Sequence, residues 1–184
     1  MALWRAALAA CLPGSAVSSS TPHSGSFMFF SVVVGDALMQ KLLLNSGNPI
    51  ASIEMLGVAC ALFIWHDVLA DRAVICFVDN EATKCCLTKG YSPQVDMAAI
   101  CALCTRSEID QKCVLYFERV ASSSNIGDGP SRFMLPPPLP CWGTATRTRL
   151  DSARGARAFW GGRFAGGLRD APSVQQQRQA AAEA

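Results

Sequence analysis

Three carboxylates stand where acid side chains can do chemistry. Glu54 lies at the start of a long apolar stretch, Asp79 directly follows the all-apolar run Val74–Val78, and Asp128 sits in the turn-rich string Asn125–Arg132. Carboxylates gathered from a helix start, a strand end and a late loop repel one another unless a cation lies between them. Their hard oxygens select Mg²⁺ or Mn²⁺. Two such ions about 3.5 to 4 Å apart would activate a water and steady the leaving oxygen of a phosphodiester. Taken singly, each acid has an ordinary role: Glu54 as a favourable charge near a helix N-terminus, Asp79 as a turn former, Asp128 as a loop acid.

The elements that must position these acids are legible between residues 27 and 132. Phe27–Val34 (FMFFSVVV) is rich in aromatic and β-branched residues and reads as a buried strand. Gly35 ends it, and Asn45-Ser46-Gly47-Asn48-Pro49 signals a turn. Ala51–Leu69 places Met55, Leu56, Ala59, Leu62, Phe63 and Trp65 at helical spacing, with Ser52 as the expected N-cap. Val74–Val78 reads as a short strand, Glu81–Leu87 and Val95–Arg106 as helices, and Val114–Val120 as a further strand. A turn-rich loop, 122–130, closes the zone. This β-α-β-α-β order predicts an α/β fold, helices packed over a sheet with parallel pairs.

Composition bounds the alternatives. The chain of 184 residues suits one domain with tails. Hydrophobic residues are 51%, enough for a core. The longest apolar run, Val58–Trp65, is far short of the ~20 residues a membrane-spanning helix needs. Nine cysteines are too sparse for a disulfide scaffold. The net charge of +2 is unevenly spread: residues 27–132 carry eight basic and eleven acidic side chains, and residues 133–184 carry seven Arg and three acids. The mildly acidic middle argues against nucleic-acid binding by bulk charge there and leaves room for a carboxylate site. Residues 1–26, Ala-rich and then Ser/Pro/Gly-rich, read as an unstructured leader. Residues 133–184, with three consecutive prolines and a Gly/Arg/Gln/Ala-rich remainder, read as a disordered tail.

The strings Ile53-Glu54-Met55-Leu56-Gly57-Val58, Phe77-Val78-Asp79-Asn80-Glu81-Ala82, Lys89-Gly90-Tyr91-Ser92 and Asn125-Ile126-Gly127-Asp128-Gly129-Pro130-Ser131-Arg132 follow one another in order. Together they resemble the ribonuclease H domain of retroelement reverse transcriptases, most nearly the DIRS-like branch. That family has a helix opening with E-L-x-A, a strand ending in D-N and a terminal N-x-A-D-x-x-S-R. The resemblance covers roughly residues 27–132. It implies a mixed sheet with flanking helices, Glu54, Asp79 and Asp128 as catalytic ligands of two Mg²⁺ or Mn²⁺ ions, and Asn80, Lys89 and Ser92 bordering a nucleic-acid groove. The implied substrate is an RNA–DNA hybrid whose RNA strand is hydrolysed.

The sequence also departs from that pattern. The family's fold begins with three antiparallel strands, with a catalytic Asp on the first. Here Phe27–Val34 resembles the third, so the first two strands and the first Asp are expected to be missing. Only seventeen residues separate Asp36 from Glu54, too few for two returning strands. Gly127 stands where the family usually has Ala, and the loop before Asp128 lacks the His that many relatives place there. The expectation is a truncated domain with weak or absent cleavage; the alternative is a non-catalytic remnant that binds nucleic acid. A third possibility, a secreted cysteine-rich protein, would require oxidised cysteines. Cysteines within strand and helix patterns suit a reducing, intracellular setting better. Cys101-Ala102-Leu103-Cys104 falls on a helical stretch where cysteine acts as apolar filler, and His66 reads as a helix-end residue. No phosphate-loop, G-x-S-x-G or H-E-x-x-H string occurs.

Overall fold

The computed structural model describes residues 5–12, 25–45, 48–128, 142–147 and 168–170. The motif end Gly129–Arg132 and the three consecutive prolines lie outside them. The chain is a mixed helix-and-strand protein containing a small parallel sheet. Its elements are β1 (Arg5–Leu12), β2 (Gly25–Val34), α1 (Asp36–Asn45), α2 (Ile50–Ile64), α3 (His66–Leu69), β3 (Ala73–Val78), α4 (Glu81–Lys89), α5 (Val95–Gln111), β4 (Val114–Arg119), β5 (Trp142–Arg147) and β6 (Leu168–Asp170). Among the described residues no helix is long and apolar enough to cross a membrane.

The strands form two sheets. In the first, β2 pairs antiparallel with β1 and β6 and parallel with β5. In the second, β3 and β4 pair in parallel, from Ala73 opposite Val114 to Val78 opposite Arg119. The apolar run at 27–34 is thus a strand, as its composition dictates, but it lies in a different sheet from β3 rather than in one mixed sheet. Three strands fall where the sequence suggested none. Arg5–Leu12 lies in the expected leader, and Trp142–Arg147 and Leu168–Asp170 lie in the expected tail. Their Ala-, Gly- and Arg-rich sequences lack alternation, and pairing along β2 outweighs local preference.

The two sheets share a core through α2. That helix is apolar on every side, the mark of a helix buried all round, and Ser52 through Leu62 are buried except for half-buried Glu54. It packs against β1, α4 and α5. Phe30, Val32, Leu42, Met55, Leu56, Leu62 and Ile100 are almost fully enclosed, and the Phe30 and Trp65 rings meet edge-on at 5.4 Å. The cap of α2 differs from expectation. Ser52 is buried inside the helix, Pro49 occupies the cap position, and Asn48 Oδ1 accepts the Ile50 N–H at 3.2 Å. The helical pattern to residue 69 breaks at Trp65, and Asp36–Asn45 forms a helix between Gly35 and the expected turn, where no element was expected.

Candidate functional site

α2 and the β3–α4 junction build the site. β3 ends at Val78, Asp79 follows, and Asn80 caps α4, its Oδ1 accepting the N–H groups of Ala82 (2.9 Å) and Thr83 (3.2 Å). An extended Asn ahead of a helix satisfies amides that otherwise have no partner. Thr83, fully buried on the next turn, donates its hydroxyl to Ala51 O at 3.0 Å. This bond ties α4 to the start of α2 and sets Glu54 against Asp79.

Glu54 and Asp79 meet through their carboxyl groups. Burial above all, then the Asp79 charge and a side-chain hydrogen bond with Asp79, together push the Glu54 carboxyl up to about 7, against a lowering effect of the Asn80 backbone N–H. Two carboxyl groups can share a hydrogen bond only when one carries a proton. Glu54 lies in the second turn of α2, so a favourable helix-terminus charge does not account for its position. Its Oε2 is buried without a hydrogen-bond partner.

Asp128 does not join the pair in a ligand cluster. The ends of β3 and β4 are tied by Val120 N–H donating to Val78 O (2.9 Å), and a short 3-10 turn, Ser122–Ser124, follows. Asn125 then folds the loop on itself: its Oδ1 accepts the Gly127 N–H at 3.0 Å and its carbonyl accepts the Asp128 N–H at 3.0 Å. Among the described residues no group of three or more His, Cys, Asp or Glu side chains could hold a metal ion. The pair fits one hard cation held by two carboxylates, with water and substrate oxygens completing its shell. The orphaned Glu54 Oε2 is the acceptor such an ion would satisfy. The described residues do not supply the ligands expected for two ions.

The residues expected to border a nucleic-acid groove divide by role. The Asn80 side chain is committed to the α4 cap. Ser92 is buried and accepts the Gln94 N–H at 3.1 Å. Lys89 is exposed in the last turn of α4, before Gly90, whose φ of 71° ends the helix in the left-handed conformation glycine favours. Lys89 lines a cavity of about 850 Å³ along α4, α5 and β4; Glu54, Asp79 and Asp128 do not. Two ion pairs fix α4 against β4, Lys84 with Glu118 at 2.6 Å and Arg119 with Glu81 at 3.6 Å.

Sequence reasoning missed the Asn80 cap and the Thr83 hydroxyl as positioning groups. The string Asp79-Asn80-Glu81, a turn acid followed by a cap, was the available signal for the first. Cys101 and Cys104 are buried core residues on α5, as their helical setting suggested. Burial pushes the Cys76 thiol up to about 12 and raises Cys104 well above the ordinary thiol range. His66 is exposed at the start of α3, its Nδ1 3.1 Å from Asp67. Comparisons with protein-family models, curated proteins and solved structures found no match.

Proposed function

We propose that this chain is a degenerate ribonuclease H-like domain of retroelement origin, with a carboxylate site that takes a divalent cation and cuts the RNA strand of an RNA–DNA hybrid weakly or not at all. The observation that carries the reading is the Glu54–Asp79 contact, formed between a helix and the end of a parallel strand, where α/β sheets present their ligand sites. Both acids belong to the strings that resemble that family. Glu54, half-buried and raised toward neutrality, and Asp79 would hold Mg²⁺ or Mn²⁺. The bound ion would supply charge stabilisation for a phosphodiester oxygen. The chain's own residues orient the two carboxyls: Thr83, bonded to Ala51 O, ties the helix that follows Asp79 to the start of α2.

A non-catalytic nucleic-acid-binding remnant is the second reading, favoured by the absence of a three-acid cluster among the described residues. Cleavage of a labelled hybrid with Mg²⁺ or EDTA separates the two. Slow Mg²⁺-dependent cutting lost in Asp79→Asn supports residual catalysis. Binding that persists in EDTA and fades with salt, without cutting, supports the remnant. Failure to bind hybrid under either condition would sink both.

A further inference from the structure

We infer that Cys86 on α4 and Cys101 on α5 join in a reversible disulfide, a redox-sensitive tie between the two helices. Among the described residues seven cysteines are free thiols. Cys101 is buried, and its Sγ lies 3.5 Å from the Cys86 carbonyl oxygen. A carbonyl oxygen sits about 2.4 Å from its own Cα, so the Cys101 sulfur is within about 6 Å of the Cys86 Cα. In a formed bridge that separation is roughly 4 Å, with the two Cα atoms about 4.4 to 6.8 Å apart. It need therefore shorten by no more than about 2 Å.

Access and direction single out this pair. Cys86 is half-buried and packs against the core, so it meets both solvent and the buried thiol. Cys85 is also half-buried, but its Sγ is directed to Glu81 Oε1 on its own helix, at 3.6 Å. Cys60, Cys76, Cys104 and Cys113 are buried, out of reach of a dissolved oxidant. Cys101 and Cys104 lie three residues apart within α5, where Cβ atoms stand about 5 to 6 Å apart. A bridge allows only about 3.5 to 4.5 Å. Burial pushes the Cys101 thiol up to about 11, with the nearby Cys86 thiol adding to the shift. Cys101 therefore stays protonated, and the first oxidation falls to Cys86.

The oxidant is a peroxide. The Cys86 thiolate sulfur attacks one peroxide oxygen, the O–O bond breaks, and Cys86 becomes a sulfenic acid as hydroxide leaves and takes up the proton that Cys86 gave away. The Cys101 sulfur then displaces the hydroxyl from the Cys86 sulfur. The S–S bond forms, and the Cys101 proton departs with that hydroxyl as water. Two thiols have lost two protons and two electrons, and hydrogen peroxide has been reduced to two waters. A dithiol reductant reverses the bridge by thiol–disulfide exchange. The bridge joins residues fifteen apart across the α4–α5 turn and so restricts the unfolded chain. It lies one turn beyond Thr83, whose bond to Ala51 O holds α4 to α2, so oxidation fastens α4 on two sides. None of this rests on the cation or nucleic-acid reading.

Treating the unmodified full chain with a few equivalents of hydrogen peroxide, without denaturant, tests the assignment independently of any variant's folding. Free thiols are then alkylated, and the linked peptides are mapped without reduction and located by fragmentation. The expected product is a Cys86–Cys101 link within one copy, two hydrogens lighter than the reduced peptides and cleaved by dithiothreitol. The oxidised chain should melt several degrees above the reduced one. Cys86→Ser and Cys101→Ser should each abolish the link and the gain, while Cys85→Ser and Cys113→Ser keep both. A link from either residue to any other cysteine, a bridge formed only between copies, or a Cys86 sulfinic acid beside a free Cys101 would each overturn the assignment. So would an oxidised chain whose melting point does not move.

Discussion

The carboxyl group of Glu54 on α2 meets that of Asp79 at the end of β3, close enough that burial and the Asp79 charge together raise Glu54 to about 7. Without a cation the pair relieves its repulsion by keeping a proton on Glu54. With a cation it would exchange that proton for charge neutralisation. Both the pH response and the cation response of the fold therefore pass through this contact.

The first consequence is the sign of the pH dependence. Glu54 is raised from 4.5 to about 7 on folding, so the native state holds the extra proton between those values. Its stabilising contribution is fully present below about 4.5 and is lost as pH rises through about 7. The carboxyl is only half-buried, so solvent screening reduces the effect to the order of 1 kcal/mol. Urea unfolding at pH 5 and pH 8 should show this drop. Glu54→Gln, which cannot ionise, should remove it; an unchanged drop in that variant would assign the titration to another group.

Asp79→Asn should have opposite effects with and without the ion. Without cation it removes the facing negative charge and provides an amide that can donate to ionised Glu54, so stability at pH 8 should rise by about 1 kcal/mol. With millimolar Mg²⁺ or Mn²⁺ the unmodified chain should gain thermal stability by mass action, and the variant should gain little. Equal gains in both proteins would place the ion elsewhere.

The sequence exposes this arrangement unevenly, for physical reasons. Val74–Val78 and Ala51–Ile64 declare themselves because the first is wholly and the second almost wholly apolar, and both must be buried. Asp79-Asn80 is legible because the end of such a strand needs a turn and the next helix needs a cap. The meeting of Glu54 with Asp79 follows from how α2 crosses the end of β3, and the Thr83 hydroxyl that fixes this crossing leaves no pattern in the chain. Arg5–Leu12 and Leu168–Asp170 are strands only because β2 offers them ladder partners. The position of Asp128 depends on the self-closing loop at Asn125, which a string of turn residues announces without giving its direction.

Thr83 offers a test of that crossing. Its hydroxyl is buried and bonded to Ala51 O, so Thr83→Val should destabilise the fold by about 1 to 2 kcal/mol, leaving the carbonyl without its donor at nearly unchanged volume. Thr83→Ser should retain the bond and lose less. The Thr83→Val substitution should also weaken the cation-induced gain in stability, because α4 would no longer be held to the turn that precedes Glu54. A variant as stable as the parent chain would show that apolar packing alone sets the helices.

Lys89 and Asn80 provide the sharpest separation of binding from folding. Lys89 is exposed, so Lys89→Ala should leave the urea midpoint unchanged. If it meets a phosphate, hybrid binding should weaken several-fold, and the magnitude of the slope of log K against log salt should fall by about one. Asn80 caps α4 through two backbone amides, so Asn80→Ala should cost about 1 kcal/mol of stability and leave the salt slope unchanged. Salt titrations of hybrid binding, paired with urea unfolding of both variants, read the two effects independently. An unaltered slope in Lys89→Ala would remove the α4 C-terminus from the nucleic-acid surface, and binding would then have to rest on other cations, with the seven arginines of residues 133–184 the next to be changed.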